Sequence, residues 1–180
     1  MKRNIPSLVL SIICWLFVAS CNTATPEECF GIAVLNSNFL VGFASDGQLS
    51  ELESPTIKMG KTKDEFAPMK RKEVIDAKIA FIEETFEKIK DLRETTDTKD
   101  IRQASLALYE YVLPIYKTKY VALAKMYDEG ALKEQTKTAA RAISDKHYSG
   151  FEELYNRLIS SGKLYAEKNN IKVNWNVAGL

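Results

Sequence analysis

Residues 101–127 read IRQASLALYEYVLPIYKTKYVALAKMY, and this stretch decides the fold. Its apolar and aromatic side chains recur at steps of three and four, which places them on one face of an α-helix. An apolar face this broad suits a helix that touches two neighbours. Because Pro114 removes a backbone donor inside the stretch, we expect a kink there or two helices that meet. The face comprises Tyr109, Val112, Tyr116, Tyr120, Leu123 and Tyr127.

A long amphipathic segment lies on each side of this central helix. The first, at about 69–93, repeats isoleucine and phenylalanine in heptad steps, but its two heptads are too few for a free-standing coiled coil. The third, at about 132–160, carries a similar stripe, and Ser160-Ser161-Gly162 is expected to stop it. With the central helix at about 98–128, the sequence predicts a mainly α protein, an up-down bundle of three long helices.

The segment before the bundle is harder to interpret. Residues 30–43 read FGIAVLNSNFLVGF, with Asn36-Ser37-Asn38 placed like a turn between two apolar runs. The pattern suits a β-hairpin, an apolar flap on a membrane, or a strap across a groove of the bundle. Glycines and prolines among polar residues give 44–68 the composition of a linker. Near the other end of the chain, 171–177 alternates apolar and polar residues, which predicts a short strand or strap that could pair with 30–43.

Length and charge limit the classes of function. A chain of 180 residues favours one folded domain, and its formal net charge of +1 gives no general attraction to nucleic acid. Positions 1–20 hold two basic residues and no acidic one, so the remainder has 23 basic against 24 acidic residues. We therefore expect no nucleic-acid partner.

The first 21 residues have the layout of an export signal. Lys2 and Arg3 form a short positive region, and the apolar stretch from Leu8 to Ala19 is too short to span a bilayer comfortably. The sequence Val18-Ala19-Ser20-Cys21 then resembles the lipobox of bacterial lipoproteins, in which a small residue precedes an invariant cysteine. The alternative is an ordinary secretory signal with a chance cysteine, which would permit a Cys21–Cys29 disulfide.

The lipoprotein resemblance implies a specific topology. In that family, cleavage precedes the cysteine, its sulfur is diacylated with chains such as palmitate, and the new amino group is often acylated too. Two or three acyl chains would hold Cys21 stably at a membrane. Asn22, in place of an aspartate, favours the outer membrane over the inner. The predicted organisation is a signal peptide at 1–20, a lipidated tether with hairpin or strap and linker at 21–68, and a bundle domain with an extended tail at 69–180. The bundle itself resembles small helical envelope lipoproteins, with no specific family.

Residues with catalytic or metal-binding chemistry are scarce. A usual zinc site needs three or four ligands, and the mature chain offers His147 and Cys29 without a recognisable spacing. A di-iron bundle needs a histidine on each of two helices, so a single histidine excludes it. Asp145, two residues before His147 on one helix, is badly placed to orient it. We expect no catalysis, no metal and no cofactor.

The tyrosines are the remaining candidates for a function. All eight lie between 109 and 165, where they could be seam residues with buried rings or could form a rigid contact surface. Two functions follow: a lipid-anchored module that docks an envelope protein, or a binding protein for a small apolar or aromatic ligand in a tyrosine-lined groove. The candidate surface comprises Tyr109, Tyr111, Tyr116, Tyr120, Tyr148 and Tyr155.

Overall fold

The computed structural model describes residues 24–54, 57–59 and 66–175. Helices dominate this part of the chain, and two short strands pair antiparallel, so the predicted mainly α fold with a small β element is confirmed. Residues 1–20 and Cys21 lie outside the described residues. The elements are α1 (Pro26–Ala33), a 3-10 helix (Leu35–Leu40), α2 (Asp46–Glu53), β1 (Ile57–Met59), β2 (Phe66–Pro68), α3 (Arg71–Asp91), α4 (Lys99–Ile115), a π-helical segment (Tyr116–Tyr120), α5 (Val121–Asp128) and α6 (Lys133–Lys168).

Three long rods form the body, as predicted: α3, the continuous run from α4 to α5, and α6. At one end the Asp128 carboxylate accepts hydrogen bonds from the backbone N–H groups of Arg71 and Lys72, at 2.8 and 3.0 Å. A carboxylate there satisfies unpaired donors at the start of α3 and complements its dipole. At the opposite end Lys168 pairs with Asp97 at 2.6 Å. Successive rods therefore run antiparallel.

The central rod continues through Pro114. Where a kink or a junction was expected, the structure has the π-helical segment directly after the proline. The Thr118 hydroxyl donates to the Pro114 carbonyl at 2.8 Å. Across this wider turn the rings of Tyr116 and Tyr120 stack with centroids 4.7 Å apart, and both are buried. Tyr116 and Tyr120, which follow the proline in the π-helical segment, therefore both lie in the core.

A strap, residues 26–53, runs antiparallel to α6 along the bundle. Phe30 stacks on Tyr165 near the end of α6, while Phe43 packs on Phe151 near its middle. Farther along, Leu49 lines a surface depression together with residues from the start of α6. Of the three structures considered for 30–43, the strap is the one found. Its buried members include Phe30, Ala33, Val34, Leu40, Phe43 and Leu52.

The β-hairpin, one of the three alternatives for 30–43, is wrong, because that segment contains most of α1 and the 3-10 helix. A capping box starts α1: the Thr25 hydroxyl accepts from Glu28 N–H at 3.2 Å, and the Glu28 carboxylate accepts from Thr25 N–H at 2.8 Å. The strands lie instead at 57–59 and 66–68, in the segment predicted as linker, which also contains α2.

At 171–177 the sequence predicted a short strand or a strap, and the described residues 171–175 contain no strand. Positions 176 and 177 lie outside the described residues. Residues 171–174 have no regular secondary structure. Trp175 nevertheless meets Phe30 edge to face, with ring centroids 5.9 Å apart. The two ends of the domain are therefore joined by side-chain packing and not by strand pairing.

The third long helix ends later than predicted, at Lys168 and not near Ser160. Gly162 was expected to help stop it, but this glycine is buried where the strap crosses the helix. A Cβ built at Gly162 would lie 2.9 Å from Cγ1 of Val34. The glycine therefore permits close approach of the strap, and packing on the strap outweighs its low helix propensity.

Candidate functional site

The six tyrosines predicted as a contact surface separate into a buried group and an outer pair. Tyr148 is 39% exposed and Tyr111 is half-buried. The other four are at most 3% exposed, so a contact surface is the wrong interpretation for them. Their rings contribute large apolar areas to the core. These four are Tyr109, Tyr116, Tyr120 and Tyr155.

Three of the buried tyrosines bind the strap through their hydroxyl groups. Tyr116 donates to Gln48 Oε1 at 2.9 Å, and Tyr155 donates to Asn38 Oδ1 at 3.3 Å. The Tyr120 hydroxyl accepts from the backbone N–H of Ala44 at 2.8 Å. These tyrosines therefore have a structural role, holding the N-terminal segment against the rods.

A buried lysine completes this attachment. Lys78 on α3 is 7% exposed, and its Nζ donates to Gln48 Oε1 at 3.0 Å and to the Glu51 carboxylate at 2.5 Å. The ammonium also lies 5.1 Å from the centroid of the Phe39 ring, within cation–π range. A buried charge is tolerated when it is paired and hydrogen-bonded in this way. This network explains the burial of Lys78 and gives the residue a structural role.

His147, the single histidine, is held by Tyr111. The Tyr111 hydroxyl lies 3.3 Å from His147 Nδ1 and from the His147 carbonyl, to which it donates. Gly150 makes room for this contact, since a Cβ there would lie 2.7 Å from the Tyr111 hydroxyl. Burial lowers the pKa of His147, and the nearby ammonium groups of Lys146 and Lys119 lower it further. No carboxylate of the described residues bonds to this imidazole.

Two of the candidate tyrosines do border a pocket. It holds about 270 Å³ and lies where the strap meets the middle of α6, with Phe43 and Phe151 in its wall. Tyr148 is the exposed aromatic there, and its hydroxyl donates to Glu152 at 3.3 Å. Because the other rings are almost fully buried, they offer a ligand little surface. A tyrosine-lined binding groove is therefore limited to Tyr148 and the edge of Tyr155.

A second concavity, the basic groove, lies between the π segment with α5 on one side and α6 on the other. Its volume is about 310 Å³, at the lower end for small-molecule sites. Small and apolar side chains form most of its wall, and its polar members are all basic. It is lined by Lys119, Ala122, Leu123, Met126, Ala139, Ala142, Ile143, Lys146 and His147.

The β-hairpin presents an exposed apolar face, the hairpin face, formed by Ile57, Phe66 and Pro68. Ile57 is 62% exposed and Phe66 is 64% exposed. The register opposes Ile57 to Pro68 and Lys58 to Ala67, so alternate residues occupy opposite faces. On the other face Lys58 pairs with Glu73 of α3 at 2.6 Å. The hairpin is thus attached through its polar side and leaves its apolar side to solvent.

The hairpin face and α1 lie at opposite ends of the bundle. Glu73, which holds the hairpin, is in the first turn of α3, next to the Asp128 cap. By contrast, Phe30 of α1 packs on Tyr165 near the far end of α6. The 21 residues of α3 alone separate the two ends by ~30 Å at 1.5 Å per residue.

Cys29 is a free buried thiol on α1. Burial raises its pKa, which leaves it protonated and unreactive near neutral pH. Within the described ranges, no three His, Cys, Asp or Glu side chains converge as a metal site would require. Among the helices described, none combines the length and apolarity needed to cross a membrane.

No protein-family model matches this chain, and no curated protein or solved structure matches it either. The basic groove and the hairpin face therefore have to be interpreted from their own chemistry. Sequence reasoning missed both. The signal for the basic groove was a pair of alanines three residues apart on α6, Ala139 and Ala142, with Ala122 on the adjacent α5. For the hairpin face it was a pair of isolated apolar residues, Ile57 and Phe66, in a polar segment.

Proposed function

We propose that the protein is a cell-envelope lipoprotein, acylated at Cys21, that presents the hairpin face to a protein partner and catalyses no reaction. The observation that carries the proposal is the separation of the hairpin face from α1 by the length of the bundle. Asn22 favours the outer membrane as the site of the anchor.

Covalent geometry connects the anchor to α1. Four residue steps join Cys21 to Thr25, the cap of α1, and these reach ~14 Å at most. An acylated Cys21 would therefore hold the α1 end near the lipid. The hairpin face, at the other end, would point away from that bilayer. This favours a protein over the anchoring membrane as the occupant of the hairpin face.

The chemistry of the hairpin face fits a small protein contact. Phe66 is a large exposed aromatic beside an exposed isoleucine, and buried aromatic anchors dominate the energy of many interfaces. Two three-residue strands also leave edge N–H and C=O groups that an extended segment can pair with. The proposed partner therefore carries an exposed apolar segment that can add to the sheet.

Acylation is tested directly by mass spectrometry of the N-terminal peptide. We expect this peptide to begin at Cys21 and to carry two or three acyl chains, because the lipobox resemblance implies them. The variant Cys21→Ser should lose the acyl mass, whereas the control Cys29→Ser should keep it. An unmodified thiol at position 21 would contradict the lipoprotein assignment.

The hairpin face is tested by placing a photoreactive amino acid at position 66 in cells. We expect a cross-link to one protein, and the purified partner should bind Ile57→Asp at least about tenfold more weakly, or about 1.4 kcal/mol. The same probe at Leu164, which is 69% exposed on α6 near the α1 end, serves as the control and should not capture that partner. Cross-linking of position 66 to lipid, or equal capture from both positions, would count against the proposal.

A further inference from the structure

The basic groove has a shape suited to an extended apolar group. It follows the helices from Lys119 to Met126, a distance of ~10 Å at 1.5 Å per residue. Ala122, Ala139 and Ala142 carry too little side chain to fill the space between the two helices. A partly open channel of 310 Å³ therefore runs along the seam. Its size suits one hydrocarbon chain better than the two chains of a diacyl lipid.

The charges around the groove all have one sign. Lys119 and Lys146 are exposed, and neither forms an ion pair with any residue that the structure describes. Neighbouring Lys117, by contrast, pairs with Glu83 of α3. No carboxylate lines the groove. An apolar channel with two unpaired ammonium groups at its edge complements a molecule with an apolar chain and an anionic head.

His147 adds a polar group that is already oriented. Its Nδ1 faces the Tyr111 hydroxyl at 3.3 Å, which fixes the ring at one end of the groove. Since burial and the two lysines lower the pKa of this imidazole, it stays neutral near pH 7. The positive charge available to a ligand is therefore that of Lys119 and Lys146.

We infer that the basic groove binds a single-chain anionic amphiphile, with its chain over the alanines and its anionic head beside Lys119 and Lys146. A neutral chain would leave both ammonium groups without a partner, and a cationic one would be repelled by them. The inference is independent of the acylation of Cys21 and of the hairpin face, because the groove lies between α5 and α6.

Photo-cross-linking in a washed extract of cells that produce the full chain tests the inference. The probes are dodecanoate with a diazirine in its chain, the matching alcohol and the matching trimethylammonium compound. We expect the carboxylate probe to label residues 119–147 about tenfold more than either analogue, and excess unlabelled dodecanoate to prevent the labelling. A tenfold preference corresponds to about 1.4 kcal/mol.

Variants locate the site. Lys119→Glu with Lys146→Glu should reduce the labelling about tenfold, and Ala142→Phe should reduce it by filling the channel. Lys125→Glu with Lys133→Glu makes the same change in charge on the same two segments outside the groove, and should leave labelling within about twofold. All five positions are exposed, so the variants should fold. Equal labelling by the three probes would overturn the inference. So would an equal loss of labelling in the two double variants.

Discussion

Raising the pH above about 10 is expected to unfold the protein in a steep, cooperative step. Burial raises the pKa of six tyrosines above the value of about 10 that they have in an unfolded chain. Tyr127 is half-buried, and the other five are almost fully buried. Below that pH both states keep their phenolic protons, and stability is unaffected. Above it the unfolded chain releases protons that the folded chain retains, so the free energy of unfolding falls as pH rises. The five are Tyr109, Tyr116, Tyr120, Tyr155 and Tyr165.

The effect is large because the five tyrosines act together. Where a tyrosine is ionised in the unfolded chain and protonated in the folded protein, it contributes a loss of about 1.4 kcal/mol per pH unit. The five together therefore contribute up to about 7 kcal/mol per unit. A typical stability of about 5–15 kcal/mol would be lost by about pH 12. Tyrosinate absorbance and far-UV circular dichroism, followed in one titration, should therefore change together. Ionisation of all eight tyrosines near pH 10 in a still helical protein would show that this prediction is wrong.

Tyr109→Phe provides the matched control for alkaline unfolding. The Tyr109 hydroxyl is buried near Thr85 but has no partner in hydrogen-bonding geometry. Removing it should change the stability at neutral pH by less than about 1 kcal/mol. The alkaline slope should become shallower by about 1.4 kcal/mol per pH unit, because one titrating group is gone.

Replacing Phe43 by alanine is expected to lower the free energy of unfolding by about 3–5 kcal/mol, the range for buried aromatic residues. Phe43 is fully buried at the middle of the strap. Its ring centroid lies 5.5 Å from that of Tyr116, 5.8 Å from Tyr120 and 4.9 Å from Phe151. The substitution therefore leaves a cavity where the strap, the central rod and α6 meet. Urea denaturation followed by circular dichroism measures the loss.

Phe39→Ala is the control for this cavity. Phe39 belongs to the same strap and packs on Phe81 with ring centroids 4.4 Å apart, but it is 40% exposed. We expect it to cost less than about 2 kcal/mol, since only part of its apolar area is removed from water. Equal losses for the two variants would mean that the strap is not anchored at Phe43.

The sequence predicted the three rods because each has an apolar stripe of helical period that local inspection can find. It did not determine the structure of the strap. The run 30–43 has apolar residues that suit a strand or a helix. It is helical in the structure because it packs in a groove between the rods. The capping box at Thr25 and Glu28 was a local signal that could have favoured helix. At Gly162 tertiary packing again prevails over local propensity.

The candidate site was less predictable for a different reason. Periodicity places Tyr109, Tyr116 and Tyr120 on one helix face, but it cannot say whether that face meets solvent or another part of the chain. The strap covers Tyr116 and Tyr120, and α3 covers Tyr109 through Phe86, so the contact surface predicted there is buried. The basic groove depends on the spacing between two helices, and the exposure of Ile57 and Phe66 depends on which side of the hairpin Lys58 attaches. Both are properties of the assembled fold.

The path of the strap along the bundle determines the order in which the protein can fold. Its first buried aromatic, Phe30, is synthesised early, yet its stacking partner Tyr165 lies far along the sequence. The hydrogen bond from Tyr155 to Asn38 spans 117 positions of the chain. Contacts of such long range close late and slow folding. A ribosome must therefore release nearly the whole polypeptide before the N-terminal segment finds its place.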